Sequence, residues 1–263
     1  MKIAINGIRI HVEDQGSGPL ALVFLHYWGG SSRTWKSVTT ALSRSYRTIA
    51  SDHRGWGDSD APPSGYSLSD LAEDALGIIR VLAPPRYLLI GHSMGGKVAQ
   101  LLASRHPDGL AGLVLVNSAL PTPLALPSQM RERMLSAYST RETVEMSIDQ
   151  VLTAKPLTAA DREQVIADSL RGASPAKEAW PTSTSQEDIS ASVAAIAVPT
   201  LIIAGELDRV DTVEATRAEL LPRIPRAVMK VLPGTGHLSP LESPSELARL
   251  IGEFAAGIAP HSS

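Results

Sequence analysis

The 263-residue sequence contains no cysteine, which excludes disulfides, thiolate metal sites and a cysteine nucleophile together. Any covalent catalysis must use another side chain. Charge of one sign is also missing in excess: the formal net charge is −3, so no basic surface is expected to attract nucleic acid or anionic lipid. No apolar run is long enough to span a bilayer. The first residues, MKIAINGIRIHVEDQGSG, alternate apolar and polar positions around Asn6-Gly7, the pattern of a β-hairpin and not of a signal peptide. These absences point to a cytoplasmic protein with a small-molecule partner, no nucleic acid, no membrane, no metal and no cofactor.

What is present is an ordinary globular composition, 43% hydrophobic and 19% charged, in a chain long enough for one sizeable core with an insertion. Short apolar runs at 20–25, 47–50, 87–90, 113–116, 201–204 and 228–232 alternate with helical patterns. Runs apolar at successive positions imply burial on both faces, hence a largely parallel sheet between helices. With the hairpin this predicts an α/β fold of about eight strands. Leu68, Leu71, Ala72, Ala75, Leu76, Ile79 and Leu82 recur at helical spacing behind a capping box of Ser67 and Asp70. Leu247, Leu250, Ile251, Phe254, Ala255 and Ile258 do the same behind Ser243, Pro244 and Glu246. Residues 120–196 break the alternation with proline-flanked, helix-like segments, two of them opening at Ser139 with Glu142 and at Thr158 with Asp161. The expected organisation is a core of 1–119 and 197–263 with a helical cap inserted at 120–196. Residues 260–263 are expected to be a disordered tail.

Ser93 lies in Gly91-His92-Ser93-Met94-Gly95, between an apolar run and a helix-forming stretch. That is the context of a strand-turn-helix nucleophile elbow, in which flanking glycines remove side chains that would collide. A serine hydroxyl is a poor nucleophile at neutral pH and needs a histidine base oriented by an acid. Of the seven histidines, His11, His106 and His261 lie in a hairpin, a helix end and the tail, and His92 points away from the site. His26 reads as a brace for its own loop. His237 follows the last strand in Gly234-Thr235-Gly236-His237, at the sheet edge where open α/β sheets place their sites. The acid is expected after residues 201–204: Asp208 is preferred, with Glu206 and Asp211 as rivals. The order Ser, Asp, His is the one this fold imposes on a triad. The oxyanion requires amides already in place, for which Met94, next after the nucleophile, and Trp28, in the loop after the strand at 20–25, are the expected donors.

GHSMGG at 91–96, HYWGGS at 26–31, DHRGWGDSD at 52–60, GELD at 205–208 and GTGH at 234–237 together resemble the α/β-hydrolase superfamily. Within it, the motifs look like bacterial serine carboxylesterases and the cofactor-free haloperoxidases (perhydrolases). The resemblance implies the α/β-hydrolase fold, Ser93 as nucleophile, Asp208 as orienting acid, His237 as base, and the amides of Trp28 and Met94 as oxyanion hole. It assigns Asp52, Arg54 and Asp58 to bracing. One departure stands out: Tyr27 occupies the place where the family generally has glycine, so its side chain must either pack or reach the pocket, where its phenol would bind substrate or oxyanion. Trp180, with Met130, Met134, Tyr138 and Met146, is a candidate lining of a substrate pocket.

The resulting functional expectation is a serine hydrolase acting on a small carboxylic ester or lactone through an acyl-serine. Perhydrolysis, carbon-carbon bond hydrolysis and a lyase reaction would use the same triad. A slow-turnover ligand receptor is the rival of another class. A serine at the elbow counts against the dehalogenases and epoxide hydrolases of this fold, which carry aspartate there.

Overall fold

The computed structural model describes residues 1–258; the tail at 260–263, expected above to be disordered, lies outside the described residues. The eight strands are β1 (Lys2–Ile5), β2 (Ile8–Gln15), β3 (Ala21–Leu25), β4 (Arg47–Ser51), β5 (Tyr87–His92), β6 (Leu110–Val116), β7 (Thr200–Gly205) and β8 (Ala227–Leu232). They form one sheet in the order β1-β2-β4-β3-β5-β6-β7-β8. β1 and β2 join antiparallel, β2 joins β4 antiparallel, and all other pairs are parallel. At the hairpin, Ile5 pairs with Ile8 across Asn6 and Gly7, both at positive φ (50° and 79°), as the tightest two-residue turns require.

Helices cover both faces: α1 (Lys36–Leu42), α2 (Leu68–Leu82) and α3 (Met94–Ser104) in the first half, and α8 (Val213–Ala215), α9 (Ser239–Glu242) and α10 (Pro244–Ile258) in the last part. Between β6 and β7 the chain forms α4 (Ser128–Ser136), α5 (Arg141–Ser147), α6 (Ala159–Arg171) and α7 (Ser174–Thr182). Successive strand residues enter opposite cores because strand side chains alternate. Val23, Leu25, Leu89 and Leu115 pack with α2 and α3, whereas Leu22, Phe24, Ile90, Val114 and Val116 pack with α1 and α10. Each such side chain is buried to within a few per cent, contributing roughly 1.5–3 kcal/mol before entropy is counted.

The capping signals at Ser67 and Thr158 are realised and the one at Ser139 is shifted, but the box expected of Ser243 and Glu246 is not formed among the described residues: the Ser243 hydroxyl meets Thr235 Oγ1 at 2.7 Å and the Glu246 carboxylate accepts from Arg249 at 2.9 Å instead. Ser67 accepts from the Asp70 amide at 3.1 Å while the Asp70 carboxylate accepts from the Ser67 amide at 3.0 Å. Thr158 caps α6 with Asp161. The box expected from Ser139 and Glu142 forms one residue later, between Thr140 and Thr143. The reason is local: the Ser139 amide is used in the turn that closes α4, donating to the Ser136 carbonyl at 3.2 Å, and Thr140 and Thr143 satisfy each other's amides at 3.1 and 3.2 Å.

The stretch read as bracing does brace. Asp52 accepts from the amides of Ser32 at 2.6 Å and Asp58 at 2.7 Å, tying the loop after β4 to the loop after β3. The buried Arg54 guanidinium forks onto Asp74 of α2, with both bonds at 2.6 Å. No helix among the described residues is long and apolar enough to cross a membrane.

Candidate active site

Parallel pairing brings the carboxyl ends of β3, β5, β6, β7 and β8 to one edge, with Leu25 beside Gly91, His92 beside Val116, Val116 beside Ile203, and Gly205 beside Leu232. Tyr27, Trp28, Ser93, Met94, Asp208 and His237 each follow one of these ends, whereas the pocket candidates do not: Trp180 belongs to α7, Met130 and Met134 to α4, Met146 to α5, and Tyr138 lies between α4 and α5. Ser93 sits between β5 and α3 at φ 52°, ψ −116°, a region disfavoured for any residue with a side chain. The two glycines around it explain how the turn closes. A Cβ on Gly91 would lie 2.3 Å from the Gly95 carbonyl oxygen, and one on Gly95 would lie 2.6 Å from the carbonyl oxygens of Leu25 and His26. Close approach of α3 to the end of β3 sets the Met94 amide beside the loop at 26–30.

In that loop the Gly30 amide donates to the Tyr27 carbonyl at 3.1 Å, with Gly29 at φ 99°. Elements between β6 and β7 hold its shape: the Tyr138 hydroxyl donates to the Trp28 carbonyl at 3.0 Å, the Ser169 hydroxyl to the Gly29 carbonyl at 3.0 Å, and the Trp28 indole to the Lys177 carbonyl at 3.2 Å. The backbone amides of Trp28 and Met94 donate to no other described residue. His26 braces the loop from below, one ring nitrogen against the Tyr27 carbonyl at 2.7 Å and the other accepting from the His53 amide at 2.9 Å. Burial lowers its pKa to about 4, so it is neutral.

Of the three acids weighed after β7, Asp208 is the one that meets the histidine: its Oδ2 lies 2.9 Å from His237 Nδ1. Glu206 is exposed and accepts from the Gly234 amide at 2.7 Å. Asp211 is buried nearby and gives its amide to Asp208 Oδ1 at 3.2 Å. The Asp208 carboxylate also accepts from the Val210 amide at 2.8 Å and from Asn117 Nδ2 at 2.6 Å. Burial alone would favour a neutral Asp208, but the His237 charge and these donors hold its pKa below the usual value. Burial likewise works against a charged His237, and is outweighed by the charge and hydrogen bond of Asp208, which raise its pKa. Neither His237 Nε2 nor Ser93 Oγ is bonded to another described residue, and neither is sealed from its surroundings.

Three contributors were not legible in the sequence. Asn117, just past β6 at φ 42°, links Ser239 to Asp208: the Ser239 hydroxyl donates to its Oδ1 at 2.5 Å. His92 donates from Nε2 to the His237 carbonyl at 2.8 Å, its ring 5.1 Å from that of His237. Lys97, the buried lysine of α3, donates to the carbonyls of Thr122 at 3.0 Å and Ser185 at 3.2 Å, near the two ends of the segment between β6 and β7.

Tyr27 is fully buried, its ring 5.1 Å from His92 and in the space a Gly30 side chain would need. Burial first, then Tyr138 and Asp168, raise its pKa well above that of a free phenol, and Ser169 neighbours its hydroxyl. Its surroundings are those of a packing residue, so Tyr27→Phe is expected to keep turnover within about twofold, against the roughly 100- to 1000-fold loss that removal of an oxyanion donor brings. Steady-state kinetics on one ester decides it. Trp180 is buried and lines a cavity of about 10 Å³ with Arg54, Trp56, Tyr66 and Met94 among its other walls. Among these walls, Met94 is the residue next to Ser93. Met130 and Met146 are more than half exposed, and Tyr138 is spent on Trp28, its ring 4.3 Å away.

The motifs, the sheet order and this edge can be set beside known proteins. A family model described as the alpha/beta hydrolase family matches residues 22–250. The chain belongs to that family. It is 29% identical over 268 residues to the 2-(acetamidomethylene)succinate hydrolase of Mesorhizobium japonicum, covering 96% of this chain and 94% of the relative. A thermophilic esterase from Thermogutta terrifontis superposes with a TM-score of 0.82 at 25% identity, with 99% of each chain covered. A bromoperoxidase from Bacillus anthracis shares the fold, with a TM-score of 0.87 at 22% identity over 95% of this chain and 96% of that one. This alpha/beta hydrolase is therefore an enzyme among hydrolases, and it resembles esterases and haloperoxidases.

Proposed function

We propose that the enzyme cleaves small carboxylic esters or lactones through an acyl-Ser93 intermediate, with His237 as base, Asp208 as its orienting acid, and the amides of Trp28 and Met94 as oxyanion hole. The observation that carries this is the 2.9 Å bond between His237 Nδ1 and Asp208 Oδ2 at the same sheet edge as the strained Ser93 elbow. With Nδ1–H given to the carboxylate, the Nε2 lone pair is left to accept a proton.

In the first half-reaction Ser93 Oγ bonds to the substrate carbonyl carbon as its proton passes to His237 Nε2. The carbonyl oxygen takes the electron pair and accepts hydrogen bonds from the two amides. Collapse breaks the bond to the alkoxy group, which leaves with the His237 proton as alcohol. In the second half, water gives a proton to His237 and its oxygen to the acyl carbon; Ser93 departs with that proton and the acid is released. Asp208 stays ionised throughout and stabilises the imidazolium.

Residues 120–196 are proposed to be a cap that sets acyl preference. Support comes from their bonds to the loop at 26–30 through Tyr138, Ser169 and Lys177, and from the position of Trp180 in a cavity that reaches Met94. Trp180→Ala is expected to raise activity on hexanoate relative to acetate esters by about tenfold or more, since each methylene accommodated in an apolar pocket is worth about 1–3 kcal/mol. An unchanged ratio in this variant and in Ala176→Gly would contradict the cap assignment. The reaction itself is tested by rapid mixing with a chromogenic ester: a burst of alcohol equal to the enzyme concentration supports an acyl-enzyme, and alcohol and acid released in step from the first turnover count against its accumulation.

A further inference from the structure

One buried acid in the site has no part in the cycle just described. Asp211 is 5% exposed, and its backbone amide donates to Asp208 Oδ1 at 3.2 Å, so it lies next to the acid. Its carboxyl oxygens bond to no described residue, yet they are not walled off. A buried carboxyl is normally satisfied several times over, as Asp208 is. The charged groups that face Asp211 are Asp208 on its own loop, His237 after β8 and Lys97 on α3. Lys97 is not a dedicated partner: two of its protons go to backbone carbonyls, and Glu187 and Asp188 also act on its charge. Glu242 adds a further acid near His237. Negative charge therefore exceeds positive around a buried carboxylate that no described side chain pairs, three residues from Asp208.

We propose that Asp211 is a specificity-determining residue that receives a cationic, hydrogen-bond-donating group of the substrate, an ammonium, so that the enzyme prefers amine-bearing esters to neutral isosteres and rejects carboxylate-bearing ones. A substrate ammonium would supply both the donors and the charge that the protein withholds from this carboxyl. Burial pushes the Asp211 pKa up to about 7, the direction expected of an acid awaiting its partner. This inference rests on the acyl-serine reading above.

The test compares three ethyl esters that differ at one terminal group, those of 3-aminopropanoate, butanoate and succinate, and two butanoate esters that differ in the alcohol, 2-(dimethylamino)ethanol and 3-methylbutanol. At pH 8, on the acyl or the alcohol side, kcat/KM is expected to favour the cation over its neutral isostere by about tenfold, as one desolvated charge pair supplies, and the succinate ester to be the poorest. In Asp211→Asn the cation preference should fall to within about threefold. Should that variant not fold, the wild-type ratio measured from pH 5.5 to 8.5 carries the same information, because the need for a neutral His237 is common to both substrates and cancels. The ratio should climb through about pH 7 as Asp211 ionises. A ratio near one on both sides, or one that is flat with pH and unchanged in Asp211→Asn, overturns the assignment of Asp211. Neutral esters turned over under those same conditions would leave the acyl-serine reading standing, whereas no turnover of any ester together with no acyl-Ser93 overturns both.

Discussion

Replacement of Ser93 by alanine is expected to lower kcat on any ester the enzyme cleaves by on the order of 10⁶-fold, the scale of loss when a serine nucleophile is removed from an assembled triad. Because the hydroxyl bonds to no other described residue, alanine should fold as the wild type does and bind substrate with little change. Ser93→Gly adds a control that separates chemistry from backbone. It deletes the same hydroxyl but relieves the positive φ of 52°, so it should be equally inactive while unfolding at a higher temperature, by the roughly 1–3 kcal/mol that such strain costs. Rates of ester cleavage and thermal unfolding of both variants check these outcomes. A glycine variant that melts lower than wild type would mean that the elbow is not strained in the way its angles imply.

The second large effect concerns the base and its acid. His237→Ala is expected to reduce kcat by on the order of 10⁶-fold and Asp208→Asn by about 10⁴-fold, with KM little changed, since both act on charge that develops in the transition state. Glu206→Gln, which alters an exposed carboxylate that accepts from the Gly234 amide, should stay within about threefold of wild type, as surface changes away from the reacting atoms do. The pH profile carries the sign. Asp208 raises the His237 pKa above its ordinary value, and the base must be neutral, so wild-type kcat/KM should fall as pH drops through that raised value. In Asp208→Asn the residual activity should persist to lower pH, because the charge that favoured the imidazolium is gone. A profile whose acidic limb moves upward in this variant would contradict the role given to Asp208.

Much of the fold was legible because its signals are local. The alternation of buried runs with helical patterns, the Asn6-Gly7 turn and the Ser67–Asp70 box all depend on residues a few positions apart, and the strands observed differ from those expected only by one to three residues at their ends. The cap displaced from Ser139 to Thr140 failed where two hydroxyl residues adjoin and the preceding turn had already used one amide, and the Ser243–Glu246 box failed because Thr235 and Arg249 take those side chains. The candidate triad was legible for a different reason: a parallel sheet brings every loop after a strand to one edge, so residues far apart in sequence can be placed together without knowing their contacts. Choosing Asp208 over Asp211 was not decidable that way, since both follow β7 and only the side-chain directions separate them. The roles of Asn117, His92 and Lys97 escaped notice because their partners lie far along the chain, 91 residues away for Asn117 and Asp208 and 145 for His92 and His237. No periodicity or spacing encodes such pairs. The exposed Met130 and Met146 mislead in the opposite sense, because large apolar residues on a helix are read as pocket or core until burial is known.

The claim on which the rest depends is that Ser93 is the covalent nucleophile, and intact-protein mass spectrometry after treatment with a fluorophosphonate tests it most directly. One adduct per chain is expected, located by peptide mapping to Ser93, absent in Ser93→Ala, and formed far more slowly in His237→Ala, with loss of ester hydrolysis tracking the labelled fraction. An adduct on another residue, or a Ser93→Ala enzyme that still labels and still cleaves esters, would contradict the account.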